Sequence, residues 1–302
     1  IRGRNRNNPV LLVLHGGPGS SNIGFADAIQ RPWEDYFTIV QWDQRQTGKS
    51  YYPADDENSP LTVEQFIADT EEIVDYLRSY LQQEKVVVMG CSWGTILGMY
   101  LVKRRPEWVY AYIGVGQSVW GVNNERELYK RLLDHARENN REELLAKLEA
   151  ISPLLDADFP IREKSYVENV SFVRRELSHL AGETLMHYLF WDDAIKLFNF
   201  DRLISPHLTL TDISHSILGG EIAVDRPPYV FTKGFLDIDL PKELGTSFEV
   251  PIFFFTGVHD WHTPRSLSDH WFNQIKAPYK ELVHFEESSH AVVNEEPGKF
   301  LV

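Results

Sequence analysis

Short, wholly apolar runs alternate with helical patterns along the first third of the chain, and that rhythm limits the possible folds more than any other feature. Val10–Leu14 and the runs at 37–42, 86–89 and Val109–Val115 are strand-sized. The first ends at His15-Gly16-Gly17-Pro18-Gly19 and the second at Asp43-Gln44-Arg45. Between the second and third, Thr62 and Gln65 read as a capping-box pair. Val63, Phe66, Ile67, Thr70, Val74, Leu77 and Leu81 then follow helical spacing. Residues 92–105 predict another helix, ended by Pro106, which cannot continue the hydrogen-bond ladder. A strand with no polar face has to be covered on both sides, and a parallel sheet between layers of helices does this. The expectation is therefore an α/β fold with a mostly parallel central sheet.

The rhythm breaks after Gly116. Acids and bases interleave at helical spacing over 125–150, with Glu127→Arg131 and Glu143→Lys147 as favourable pairs. The chain then stays helical and aromatic-rich, without clear strands, to about residue 244. Strand and helix patterns resume with a strand at 250–256, a helix over 265–275 and a strand at 281–285. This organisation predicts a core made of 1–116 and 245–302, with 117–244 inserted as a helical cap. A chain of 302 residues suits one such domain.

Composition narrows the function classes. Hydrophobic residues make up 43% and charged residues 25%, as in a globular protein, so a disordered chain is excluded. Lys plus Arg is 30 against 44 Asp plus Glu, a net charge of −14, and a field of that sign repels nucleic acid and anionic lipid. No apolar run approaches the roughly 18 residues that a bilayer span needs. Cys91 is the single cysteine, which excludes an intramolecular disulfide and a cysteine-rich zinc site and points to a cytoplasmic location. No His-x-x-x-His or carboxylate cluster argues for a metal. The chain begins at Ile1 without Met and stops soon after a helix start, so both ends read as trimmed and the place to look for a signal peptide is missing. Arg2, Arg4 and Arg6 alternate in the manner of a solvated strand edge.

Gly90-Cys91-Ser92-Trp93-Gly94 follows a strand and opens a helix. Glycines two positions either side of a serine allow the sharp turn that lifts a nucleophile out at the carboxyl edge of a sheet. Ser92 is the candidate nucleophile, set against the plainer reading of a helix N-cap. Cys91 lies off the apex and reads as packing. A serine hydroxyl needs a base, and the base needs an orienting acid, in the chain order serine, acid, histidine. Asp260, in the loop after the strand at 250–256, and His290, after the next strand, fill those places. Asp260 also reads as a helix-capping aspartate, because it closely precedes Thr263-Pro264. His259 and His262 suit supporting or surface positions, and His284 lies within a strand. The oxyanion of an acyl-transfer intermediate needs preorganised donors. The Trp93 N–H and a backbone N–H from the His15–Gly19 loop, best supplied by Gly17, are the candidates.

The motifs H-G-G-P-G at 15–19, D-Q-R-x-x-G-x-S at 43–50, G-x-S-W-G at 90–94 and G-x-x-D-x-x-x-P at 257–264, with S-x-H before a Pro-containing helix start, resemble the proline iminopeptidase branch of the α/β-hydrolases. The resemblance covers roughly 8–116 and 245–300. It implies an α/β-hydrolase fold with a helical lid, a Ser92–Asp260–His290 triad, and an oxyanion hole from Gly17 and Trp93. The chain departs from the pattern at Gln46, where the family has glycine, and in lacking the W-x-x-W-E run that supplies acidic lid residues for the substrate's ammonium group. Glu183 is the nearest candidate for that role, with Glu176 and Glu221 behind it, and each also reads as a solvated helix carboxylate. Tyr188, Phe190, Trp191, Phe198 and Phe200 suit an apolar pocket or plain lid packing equally well. Gly48-Lys49-Ser50 lacks the upstream glycine of a phosphate loop.

These readings give a serine hydrolase without cofactor. The leading function is an aminopeptidase releasing N-terminal proline or another small residue from short peptides. The alternatives are a carboxylesterase or amidase on small acyl substrates and a catalytically silent binding scaffold. The expected partner is a small peptide or acyl substrate, with neither nucleic acid nor membrane, and the sequence leaves the oligomeric state open.

Overall fold

A computed structural model describes residues 1–52, 61–151, 169, 170, 172–174, 176, 208–214 and 235–301. Strands β1 (Val10–Leu14), β2 (Thr38–Trp42), β3 (Val86–Cys91), β4 (Val109–Val115), β5 (Ile252–Gly257) and β6 (Lys280–Phe285) form one sheet in the order β2-β1-β3-β4-β5-β6. Every pairing is parallel. Among the described residues the helices include α1 (Ala26–Gln30), α2 (Val63–Leu81), α3 (Trp93–Arg104), α4 (Gly121–Glu138), α5 (Glu142–Ala150), α6 (Leu240–Leu244), α7 (Arg265–Gln274), α8 (Val292–Glu295) and α9 (Pro297–Leu301).

The apolar runs become strands because both of their faces are covered. Leu12 and Leu14 face a large cluster with Phe66, Ile96, Leu97 and Phe254, while Leu11 and Val13 face a second one with Trp33, Met89 and Phe285. Alternate side chains of β1 thus enter opposite layers, as a pleated strand requires. All five β1 residues are buried. Among the described residues no helix is long and apolar enough to cross a membrane.

Several boundaries differ from the sequence expectation, each for a local reason. β3 runs on to Cys91, because Gly90 and Cys91 keep register with Gly114 and Val115. α3 starts at Trp93, since Ser92 has a φ of 51° and cannot join a right-handed helix. The capping box before α2 is half-formed. Thr62 Oγ1 accepts the Gln65 N–H at 3.1 Å, but the Gln65 side chain donates to Asp69 instead of reaching back to Thr62. Asp69 also receives both arms of Arg45, at 2.8 and 2.6 Å, which fixes the loop after β2 onto α2. At the amino end Arg2 forms an antiparallel bridge to Ile39, in line with the expected strand edge.

β4 and β5 are neighbours, so the chain leaves the sheet after Val115 and returns at Ile252 without skipping a position. The two ends of this excursion are tied together. Gly121 N–H donates to Ile238 O at 3.0 Å, Leu240 N–H donates to Val119 O at 3.1 Å, and Trp120 Nε1 donates to Asp239 Oδ1 at 2.8 Å. A side chain at Gly121 would stand 2.0 Å from Phe235 O, so glycine is what lets the two stems approach. Inside the excursion, α4 buries Leu128, Tyr129, Leu132 and Ala136, and Tyr129 donates its hydroxyl to Leu148 O in α5.

Candidate active site

The strand–turn–helix around Ser92 is built by steric exclusion. A Cβ on Gly90 would lie 2.5 Å from Gly94 O, and one on Gly94 would lie 2.2 Å from Leu14 O. Only residues without side chains let β3 fold back against α3 and let α3 press on β1. The turn leaves Ser92 at φ 51°, ψ −117°, a sparsely populated conformation that costs on the order of 1–3 kcal/mol and persists only under external constraint. Two hydrogen bonds supply part of that constraint: Ser92 N–H to Val115 O and Thr95 N–H to Ser92 O, both 2.9 Å. Ser92 occupies the N-cap position, yet its hydroxyl caps nothing and makes no hydrogen bond to another described residue. The capping explanation for this serine therefore fails. Neighbouring Cys91 packs against the second apolar cluster, and burial pushes its thiol up to about 12, far from a working thiolate.

Asp260 and His290 come together from the loops after β5 and β6. His290 Nδ1 lies 2.8 Å from Asp260 Oδ2. Thr263 Oγ1 donates to the same carboxylate oxygen at 2.7 Å. The other oxygen accepts the His262 N–H at 2.8 Å and the Thr263 N–H at 3.0 Å. Asp260 is therefore no helix cap, since the helix beginning at Arg265 has Pro264 at its N-cap and no side-chain cap bond; one oxygen instead holds the preceding turn and the other faces His290. Burial alone raises the Asp260 carboxyl, but the His290 charge and hydrogen bond, joined by the Thr263 N–H, outweigh it and hold the group below its ordinary range. At His290 burial favours the neutral ring, whereas the charge and hydrogen bond of Asp260, aided by Glu295, prevail and raise the imidazole above 6.5. His262 lies beside it at a 39° tilt with ring centroids 4.9 Å apart; burial and the His290 charge push it down to about 3, so it stays neutral.

The His290 loop is held by carboxylates that sequence reasoning did not single out. Glu295 accepts the Ser289 N–H at 2.5 Å and the Ser289 hydroxyl at 2.6 Å, and Glu296 accepts the Ser288 hydroxyl at 2.6 Å. Burial raises the Glu295 carboxyl against the pull of these bonds. The adjacent pair Glu295-Glu296, directly behind Ser288-Ser289-His290, was the available signal.

Backbone contacts bring Ser92 and His290 to the same sheet edge. Ser92 N–H bonds Val115 O, and the next residue, Gly116, lies against the imidazole: a Cβ there would be 3.0 Å from His290 Cε1. The His15–Gly19 loop arrives from the other side. A Cβ on Gly16 would stand 3.3 Å from Ser92 Cβ, and Gly17 adopts φ 114°, open to glycine and strained for other residues. Trp93 opens α3, so its N–H is among those left without an intrahelical acceptor. Its buried ring meets Phe66 edge-on at 5.6 Å and Phe235 at 6.2 Å.

The remaining motif residues have structural work. Asp43 Oδ2 accepts the Lys49 N–H at 2.9 Å, and Ser50 donates to Asp43 O at 2.7 Å, so the Gly48-Lys49-Ser50 turn closes on its own aspartate. Gln46, standing where the family has glycine, adopts φ 58° and bridges Tyr52 with both ends of its amide, at 3.1 and 3.0 Å. Those bonds offset what the left-handed backbone costs a non-glycine residue. His284 lies in β6 as expected and pairs with Asp269 at 3.0 Å.

Glu183, Glu221, Tyr188, Phe190, Trp191, Phe198 and Phe200 lie outside the described residues. The excursion between β4 and β5 does bring one unforeseen charge pair to this region. Glu125 of α4, only 2% exposed, binds both Nε and Nη2 of Arg174. The Arg174 guanidinium lies over the Phe235 ring at 5.7 Å, and the preceding Asn124 donates to His262 O at 3.0 Å.

Residues 9–297 match the family described by the α/β hydrolase fold. The chain belongs to that family. Among its relatives is a probable aminopeptidase, YbaC, of Bacillus subtilis, 29% identical over 310 residues that span 99% of this chain and 89% of the relative. A proline iminopeptidase of Lactobacillus helveticus is 33% identical over 114 residues, 37% of each chain. Among solved structures, proline iminopeptidase from Mycobacterium smegmatis superposes with a TM-score of 0.56 at 19% identity, covering 99% of this chain and 88% of that one. At that identity the likeness speaks for the fold alone. This α/β hydrolase thus carries the parallel sheet flanked by helices that its sequence led us to expect.

Proposed function

We propose that this α/β hydrolase is a serine aminopeptidase that releases N-terminal proline or another small residue from short peptides through an acyl-enzyme. The observation that carries the reading is the His290–Asp260 pair at 2.8 Å, anchored beside a strained serine whose hydroxyl is not consumed by capping. The names of the relatives from Bacillus and Lactobacillus support the aminopeptidase class.

In this reading Ser92 Oγ attacks the scissile carbonyl while His290 Nε2 takes its proton. Asp260 keeps the other ring proton on Nδ1 and stabilises the imidazolium. Negative charge on the carbonyl oxygen is met by the N–H groups of Gly17 and Trp93. The imidazolium then protonates the departing amine. Water, deprotonated by the same ring, attacks the acyl-enzyme and frees Ser92. Residues 117–244 act as a cap that limits access to small substrates, with Glu183 as the candidate for holding the substrate's ammonium group. The single cysteine supports a cytoplasmic setting.

One observation favours the rival reading of a carboxylesterase on small acyl esters. Glu125, a buried carboxylate, is already paired with Arg174, whose guanidinium lies over Phe235 beside Trp93, and so gives no free negative charge to an amino terminus. Paired assays with L-proline p-nitroanilide and p-nitrophenyl acetate decide between them. Anilide turnover supports the peptidase, whereas ester turnover without anilide turnover overturns it. Fluorophosphonate labelling tests the nucleophile. Label is expected on the wild type and absent from Ser92→Ala, whose turnover falls by about 10⁶-fold.

A further inference from the structure

Gln44 connects the two pieces of chain that carry the candidate oxyanion donors, and it is fully buried. Its backbone N–H donates to His15 Nε2 at 3.0 Å. Its side-chain Nε2 donates to His15 O at 2.9 Å, and its Oε1 accepts the Trp93 indole N–H, also at 2.9 Å. A single amide therefore grips the backbone leading into Gly16-Gly17 with one end and the first residue of α3 with the other. The His15 ring fits this arrangement in only one form. Nε2 has to accept, so the ring proton sits on Nδ1, where it meets Gly16 O at 2.8 Å. Burial, the largest influence, lowers the His15 pKa and keeps the ring neutral, as that tautomer requires.

An oxyanion hole works through the position of its donors, because a displacement of about 1 Å costs on the order of 10²-fold. Sheet pairing fixes β1 against β3 as far as Leu14 opposite Gly90, but beyond that point the loop and the elbow are separate segments whose spacing the ladder no longer sets. We propose that Gln44 is a positioning residue for the reaction, holding the Gly17 loop and the Trp93 elbow at the separation that the tetrahedral oxyanion needs. The inference rests on the reading of Ser92 as nucleophile, and it reaches a side chain that touches neither substrate nor triad.

The test compares wild type, Gln44→Leu and Gln44→Glu, using p-nitrophenyl acetate and L-proline p-nitroanilide, with the rate of fluorophosphonate labelling as a second measure. Gln44→Leu removes both side-chain bonds and should lower kcat by about 10-fold to 100-fold while KM stays within about threefold. Gln44→Glu keeps the shape and adds a diagnostic pH dependence. Protonated, the introduced carboxyl can still donate to His15 O and accept from Trp93; ionised, it has no hydrogen to give. Burial raises the pKa of such a group. The kcat of this variant relative to wild type should therefore fall as pH rises, whereas a merely structural defect gives a ratio independent of pH. If Gln44→Leu fails to fold, the ratio for Gln44→Glu decides alone. Wild-type kcat in a folded Gln44→Leu, or a flat ratio for Gln44→Glu, overturns the positioning role while leaving Ser92 labelling intact. Absence of label on wild-type Ser92 overturns the nucleophile reading and this inference with it.

Discussion

His290 Nδ1 lies 2.8 Å from one oxygen of Asp260, while the other oxygen is occupied by the backbone N–H groups of His262 and Thr263. The carboxylate cannot rotate without breaking two local bonds, so it presents a fixed acceptor to the imidazole. Asp260→Asn keeps the size but places a donor or a weaker acceptor opposite Nδ1 and so favours the wrong tautomer. Turnover is expected to fall by about 10⁴-fold, with the fold retained by circular dichroism. A loss below tenfold would remove Asp260 from the triad.

In the proposed mechanism the working base is neutral His290, whose pKa is raised, so activity should be lost as pH falls through a limb above 6.5. An unperturbed imidazole would give a limb at about 6.5. The upward displacement is the added contribution of Asp260 and Glu295. A kcat/KM profile with chemistry rate-limiting and its acid limb below 6.5 would contradict this assignment.

Glu295 offers a separate handle on the same limb. Glu295→Gln keeps an acceptor for the Ser289 N–H but removes a negative charge that favours the imidazolium. Losing that charge favours the neutral ring, so the acid limb should move to lower pH. Measured against wild type in one buffer series, an unmoved limb would confine Glu295 to shaping the loop.

Gly94→Ala tests the elbow's packing. The added methyl would stand 2.2 Å from Leu14 O, so β1 and α3 must separate. Urea unfolding should show a loss of roughly 3 kcal/mol. Gly298→Ala, where a Cβ meets nothing within 4 Å, is the matched control and should change stability by less than about 0.5 kcal/mol.

The parts legible in the sequence are those where a local pattern has one physical solution. Val10–Leu14 has no polar face, so it had to be an inner strand, and it lies between β2 and β3. Gly90 and Gly94 bracket Ser92 at the only spacing that lets the turn close. Asp260 was legible as the partner of His290, but the turn that its other oxygen holds through the His262 and Thr263 N–H groups was not. Gln44, Thr263 and Glu295 were invisible as site residues. Their amide, hydroxyl and carboxylate become significant only through partners that the fold brings in. Gln46 marked a departure from the family, and its compensation by Tyr52 appears only once the left-handed turn is in place.

The clasp between Val119–Trp120–Gly121 and 238–240 has a consequence for how this architecture changes over time. Closing a loop grows less favourable only as the logarithm of its length, so with these stems zipped the span between them can change length at small entropic cost. What has to be kept are the contacts that its described residues make at the sheet edge: Asn124 with His262 O, Arg131 with Asp260 O and Phe235 with Trp93. In the proposed enzyme, substrate preference can then shift within this span as long as those three contacts persist.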